Sequence, residues 1–124
     1  MPATQAYGFV LDMEIIRHWA IKFYTNSHGD KLSTLSPEDA EEELSTACTV
    51  TISMLPMVIY REFPRIPSVW YRLARIDRKK YLLVLKDNET AASTKAKVEP
   101  DDVEGVRQKL DLGTQRPRWY PILT

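Results

Sequence analysis

The chain has 124 residues, of which 44% are hydrophobic and 27% are charged, and its 17 basic and 17 acidic residues cancel. This length and composition predict one folded domain covering residues 1–124 and argue against a disordered chain. Zero net charge by itself argues neither for a nucleic-acid-binding domain, most of which are strongly basic, nor for an acidic interaction tail.

The cysteine content and the first residues bear on location. Cys48 is the only cysteine, so the chain can form neither an internal disulfide nor a cysteine-based zinc site. Residues 1–5 lack the basic and then apolar pattern of a secretion signal, and we expect no stretch long and apolar enough to span a bilayer. The expected location is therefore the cytoplasm or the nucleus, without a membrane partner.

Apolar residues at helical spacing predict a first helix from about Phe9 to Tyr24. A second helix is predicted to start at Ser36, which is followed by a proline and two acids that suit a helix N-terminus. From residue 49 apolar and hydroxyl side chains alternate, so residues 49–55 either continue the helix or form a strand. Residues 57–60 are predicted to form a short edge strand between prolines.

The centre of the predicted fold is a β-hairpin at residues 69–86, with strands at 69–76 and 80–86 and a polar turn between them. The second strand contains a continuous apolar run, which predicts that both of its faces are covered. The alternative is one long helix, which would place the charge of Asp77 within its apolar stripe. The β-branched and aromatic residues of this segment favour the hairpin.

The last third of the chain is predicted to hold a polar, mobile loop at residues 88–99 and a third helix from Pro100 to about Leu112. The tail at residues 114–124 is too aromatic for a disordered end, so we expect it to dock onto the body. Together these elements predict a small single-domain α+β fold, with two to three helices packed on a short antiparallel sheet centred on the 69–86 hairpin.

The residue types that carry catalysis are sparse. Cys48, His18 and His28 are the only thiol and imidazoles, and their sequence contexts do not suggest a catalytic triad. No metal-ligand spacing or phosphate-binding glycine loop occurs in the sequence. We therefore predict that the protein is not an enzyme and has no catalytic residue, no metal site and no cofactor.

The charges are unevenly distributed along the chain. Residues 1–57 carry eight acids and three bases, residues 58–87 carry eight bases and three acids, and residues 88–124 carry six of each. The basic middle segment either pairs with acids inside the domain or forms an exposed patch. Internal pairing is the simpler interpretation.

An exposed patch would combine cations with aromatic rings, which are the residue types that most often anchor protein interfaces. The predicted binding residues are Arg61, Arg65, Trp70, Arg72, Arg75 and Trp119. We expect an intracellular protein-binding or regulatory module whose partner is another protein or a second copy in a homodimer. The alternative is a protein that binds single-stranded nucleic acid through the same surface, because cations track phosphates and rings stack on bases.

Overall fold

The computed structural model describes residues 4–123, so residues 1–3 and 124 of the predicted domain lie outside the described part. The described chain forms five helices and a four-stranded antiparallel sheet, which confirms the predicted small single-domain α+β fold. The elements are β1 (Gln5–Asp12), α1 (Met13–His28), α2 (Lys31–Thr34), α3 (Pro37–Glu62), β2 (Ala74–Arg75), β3 (Lys80–Asp87), α4 (Ala91–Lys95), α5 (Pro100–Lys109) and β4 (Arg118–Pro121).

The sheet has the strand order β2-β3-β1-β4, so β1 lies in its centre. The prediction that a helix begins near Phe9 is wrong, because residues 5–12 pair with both β3 and β4. Both faces of β1 are covered, so its apolar side chains point alternately to one face and the other. Some of these residues fall at helical spacing from the apolar residues of α1, and the two elements then look like one helix in the sequence. Asp12 ends the strand and caps α1, since its Oδ1 accepts a hydrogen bond from the amide of Ile15 at 3.0 Å.

A β-bulge distorts the pairing of β1 with β3 between Tyr7 and Gly8. Tyr7 lies opposite Lys86 and Gly8 lies opposite Val84, so Leu85 is the extra residue on β3. A Cβ atom on Gly8 would lie 1.9 Å from the carbonyl oxygen of Leu83. Only glycine allows the two backbones to approach this closely.

Each face of the sheet has its own apolar cluster. Phe9, Leu11, Leu83 and Leu85 face the helices, in a cluster that also contains Ile16, Leu55, Ile59 and Val106. The opposite face presents Ala6, Ala74, Leu82 and Val84, against which Trp70, Ile76, Tyr120 and Ile122 pack. The β3 strand is therefore buried on both faces, as its continuous apolar run indicates.

Helix α3 runs without interruption from Pro37 to Glu62, which settles residues 49–55 as helix and shows that the strand predicted at residues 57–60 is wrong. Pro56 lies inside the helix although proline has no amide hydrogen to donate to the carbonyl of residue 52. The amide of Leu73 donates to that carbonyl of Ile52 at 3.0 Å instead. A tertiary contact thus satisfies the group that the proline leaves unpaired.

The predicted hairpin is present, but its first strand is shorter than expected. Only Ala74 and Arg75 pair with β3, opposite Leu82 and Tyr81, and residues 69–73 form no ladder. Residues 88–99 contain the short helix α4, whose first turn is closed by reciprocal hydrogen bonds between Thr90 and Ser93.

By length and composition, helix α3 is apolar enough to cross a membrane, so the expectation that no stretch passes this test is wrong. This apolar stretch is hard to recognise in the sequence because its apolar residues are interspersed with serine and threonine. One such helix is weak evidence for a membrane span, because core helices of folded domains pass the same test. About a third of the apolar window is buried inside the fold, and α3 packs against α1.

Candidate functional site

Residues 69–75, called the binding segment below, connect the end of α3 to the sheet and carry the most exposed large hydrophobic side chains of the described chain. Tyr71 is 81% exposed and Val69 is 77% exposed. Arg72 and Arg75 are exposed on the same segment. Two large exposed apolar side chains beside two arginines make this segment a candidate contact surface.

The binding segment forms one wall of an open groove of about 530 Å³, called the binding groove below. The other wall is formed by Glu89, Ile122 and Leu123, and Leu123 is itself more than half exposed. The amide of Leu123 donates to the carbonyl oxygen of Arg75 at 2.9 Å, which ties the C-terminal tail to β2. The groove therefore combines apolar walls with two arginines and one carboxylate.

The binding segment is held from beneath by Trp70, whose side chain is half-buried. The indole Nε1 of Trp70 donates to Oδ2 of Asp87 at 3.1 Å, and the backbone amide of Trp70 donates to Oγ of Ser68 at 3.2 Å. Leu73 is buried and bonded to α3, as described above. The segment is therefore anchored at Trp70 and Leu73, while Val69 and Tyr71 are exposed to solvent.

Asp87 is a buried carboxylate at the end of β3, and its environment keeps it charged. Burial acts to raise its pKa, but hydrogen bonds from the amide of Glu89 and the indole of Trp70, together with the nearby hydroxyl of Ser93, hold the pKa below its usual value. The amide of Glu89 donates to Oδ1 at 3.0 Å, so both carboxylate oxygens are engaged. The charged carboxylate of Asp87 thus holds Trp70, and through it the binding segment, in position.

A cluster of cations, called the basic cluster below, extends from the binding segment through the following turn to the first residue of β3. Its members are exposed: Arg72, Arg75, Arg78, Lys79 and Lys80. Within residues 4–123 none of them forms an ion pair. Internal pairing therefore does not neutralise this part of the basic middle segment.

The other predicted binding residues lie elsewhere in the structure. Nη2 of Arg65 contacts Oδ1 of Asp102 at 2.9 Å, so this arginine links the end of α3 to α5. Arg61 is exposed on α3 and lines a different hollow. Trp119 lies on β4, at the opposite edge of the sheet from β2.

Trp119 has its own local partners at that edge. Its ring lies 5.6 Å from the ring of Tyr7, and Nζ of Lys86 lies 5.4 Å from the centre of its ring. Of the six predicted residues, the structure therefore brings together Trp70, Arg72 and Arg75 in the binding groove. It does not place Arg61, Arg65 and Trp119 there.

The six predicted residues do not include Val69, Tyr71, Glu89 and Leu123, which also line the groove. The sequence does contain a signal for Val69 and Tyr71. In an extended segment, side chains two residues apart point to the same side, so these two residues are expected to be exposed together. The same pattern assigns Leu73 to that side, yet Leu73 is buried. The alternation fails because residues 69–73 bend away before they join the sheet.

The residues considered for catalysis are placed apart from the binding groove. Cys48 is partly buried on α3, and burial raises the pKa of its thiol despite the opposing effect of Arg17. His18 and His28 lie on α1. Across residues 4–123, no group of three histidine, cysteine, aspartate or glutamate side chains is arranged to hold a metal ion.

No protein-family model matches the chain, and searches of curated proteins and of solved structures find no match for it either.

Proposed function

We propose that the protein is a non-enzymatic intracellular protein-binding module that captures a segment of a partner protein in the binding groove. The observation that carries this proposal is the high exposure of Val69 and Tyr71 beside Arg72 and Arg75, which form no ion pair with any residue from 4 to 123. Tyrosine and arginine are frequent anchors of protein interfaces. An aromatic side chain that projects from a fixed base loses little conformational entropy when a partner covers it.

The chemistry of the groove indicates the partner. Val69, Tyr71 and Leu123 offer apolar contact area, and two members of the basic cluster, Arg72 and Arg75, line the groove. A segment with one or two large apolar residues followed by acidic residues would match both features. Charge complementarity of this kind speeds association and makes it sensitive to salt.

Peptide display against the purified protein tests this proposal. We expect the selected peptides to combine apolar and acidic residues, and Tyr71→Ala or Arg72→Glu to weaken their binding at least about tenfold in calorimetric titrations. The matched control is Lys31→Glu, which reverses an exposed charge on α2 and should leave binding unchanged. Peptides that bind Tyr71→Ala and Arg72→Glu as tightly as the wild type would contradict the proposal.

Single-stranded nucleic acid is the second candidate, and the specific observation in its favour is the basic cluster beside the exposed ring of Tyr71. Such a site would stack a base on the ring and hold phosphates with the cations. Fluorescence anisotropy with a labelled oligothymidine separates the two candidates. Affinity that falls steeply with salt and is lost in Arg75→Glu would support nucleic acid, and no binding at low salt would exclude it.

A further inference from the structure

A second surface lies on helix α3, away from the binding groove. A line of six residues on one side of the helix, called the α3 line below, has four apolar residues between two charged ends. The line consists of Glu43, Ala47, Val50, Met54, Met57 and Arg61. Val50, Met54 and Met57 are each between 40% and 53% exposed, so the middle of the line is apolar and open to solvent.

The spacing of the α3 line is that of a helix which pairs with another helix. Successive positions are separated by four, three, four, three and four residues. This alternation keeps side chains on one face and is the pattern of helices that pack with interlocking side chains. Leu44, Leu55 and Ile59, which pack inside the domain, lie on a different face of α3.

The two ends of the α3 line carry opposite charges. Glu43 and Arg61 are 18 residues apart, which is about five helical turns, so they lie on the same side of the helix. Arg61 forms no ion pair or side-chain hydrogen bond within residues 4–123. Glu43 accepts one hydrogen bond on Oε2, from the hydroxyl of Tyr24 at 3.2 Å, which leaves Oε1 available.

We propose that the α3 line binds the α3 line of a second copy of this chain, in an antiparallel pair with two-fold symmetry. In such a pair the residues whose numbers add up to 104 lie opposite each other. Glu43 then faces Arg61 of the second copy, and the symmetry repeats this ion pair at the other end. No separate partner with a matching charge pattern is required, because the line is complementary to itself.

Side-chain size agrees with this pairing. Met57 lies opposite Ala47 of the second copy, so a long side chain meets a small one, and Val50 lies opposite Met54. Ala47 belongs to a hollow of about 300 Å³ between α1 and α3, which is also lined by Tyr24 and His28. The hollow offers space for the methionine side chain, and methionine adapts readily to an irregular surface.

Charge reversal tests the pairing by sedimentation equilibrium. The wild type should be a dimer, and Arg61→Glu or Glu43→Arg should each give a monomer, because each places like charges opposite each other at both ends. The double variant Glu43→Arg with Arg61→Glu should restore the dimer. The matched control is Glu42→Arg, an exposed neighbour outside the line, which should stay dimeric. Circular dichroism verifies folding, and Arg61→Glu breaks no described contact.

Three results would overturn the proposal. The first is a monomeric wild type at roughly 100 µM, a concentration at which even a weak micromolar dimer still forms. The second is a dimer that persists in both single charge reversals, and the third is a monomer that binds phosphatidylcholine vesicles through α3. The last result would assign the line to a lipid surface, the alternative that the apolarity of α3 raises. None of these variants changes a residue of the binding groove. Failure of the dimer proposal would therefore leave the proposed peptide-binding function untouched, and the reverse also holds.

Discussion

The amide of Leu73 donates a hydrogen bond to the carbonyl oxygen of Ile52 at 3.0 Å, within the turn of α3 that Pro56 leaves without a helical donor. This bond joins the binding segment to the longest helix, while Trp70 joins it to the end of β3 through Asp87. The exposed residues Val69 and Tyr71 lie just before and after Trp70. A partner would therefore meet an apolar surface that is already fixed in position.

The close approach at the β-bulge predicts that Gly8→Ala is strongly destabilising. The added methyl would overlap the carbonyl of Leu83, and backbone atoms cannot move aside as a side-chain end can. We expect a loss of at least about 3 kcal/mol in the free energy of unfolding, measured with urea. Gly113→Ala is the comparison, since its methyl would meet no atom within 4 Å and only its positive φ of 63° is strained. An equal loss in both variants would contradict the account of Gly8.

The environment of Asp87 predicts a pH-dependent contribution to stability. Its pKa in the folded state lies below the value of about 3.9 in the unfolded chain, so the ionised form stabilises the fold at neutral pH. This contribution is lost as the pH falls through the folded-state pKa. The wild type should therefore be more stable than Asp87→Asn at pH 7, and the difference in unfolding free energy should shrink below pH 4. A difference that stays constant with pH would contradict this role.

The contact of Arg65 with Asp102 predicts a structural role for an arginine that the sequence marks as a binding residue. Asp102 is buried, and its Oδ2 has no hydrogen-bond partner in residues 4–123. Arg65→Ala would leave this carboxylate without its cation and lower the free energy of unfolding, measured with urea. In an Asp102→Ala background the same change should lower the free energy of unfolding less than it does in the wild type. Equal costs in both backgrounds would show that the pair is not coupled.

The fold class and the β3 strand could be predicted from the sequence because their signals are local. The central strand β1 could not, since the apolar spacing of its residues continues in phase with α1. The second half of α3 resembled a strand followed by a proline break. The carbonyl of Ile52, which Pro56 leaves without a helical donor, is paired by the amide of Leu73, which lies 21 residues beyond Ile52 in the sequence. Local patterns carry no information about such partners.

The candidate site also combines residues that are neighbours in the sequence with residues that only the fold brings near or moves apart. Arg72 and Arg75 were identified because they lie beside aromatic residues in one continuous stretch. Arg65 pairs with Asp102 across 37 residues, and Trp119 joins the sheet at the edge opposite β2, so neither position could be read from neighbouring residues. Leu123 reaches the groove only because the tail crosses the second face of the sheet.

The most direct test of the central claim is a map of the contact surface in solution. A ¹⁵N-labelled sample would be titrated with the tightest display-selected peptide while amide chemical shifts are followed. We expect the perturbed amides to concentrate in residues 69–75, at Glu89 and at residues 122–123, with the edge at Trp119 unaffected. Perturbations centred on α3 or on β4, with residues 69–75 unchanged, would contradict the assignment of the binding groove.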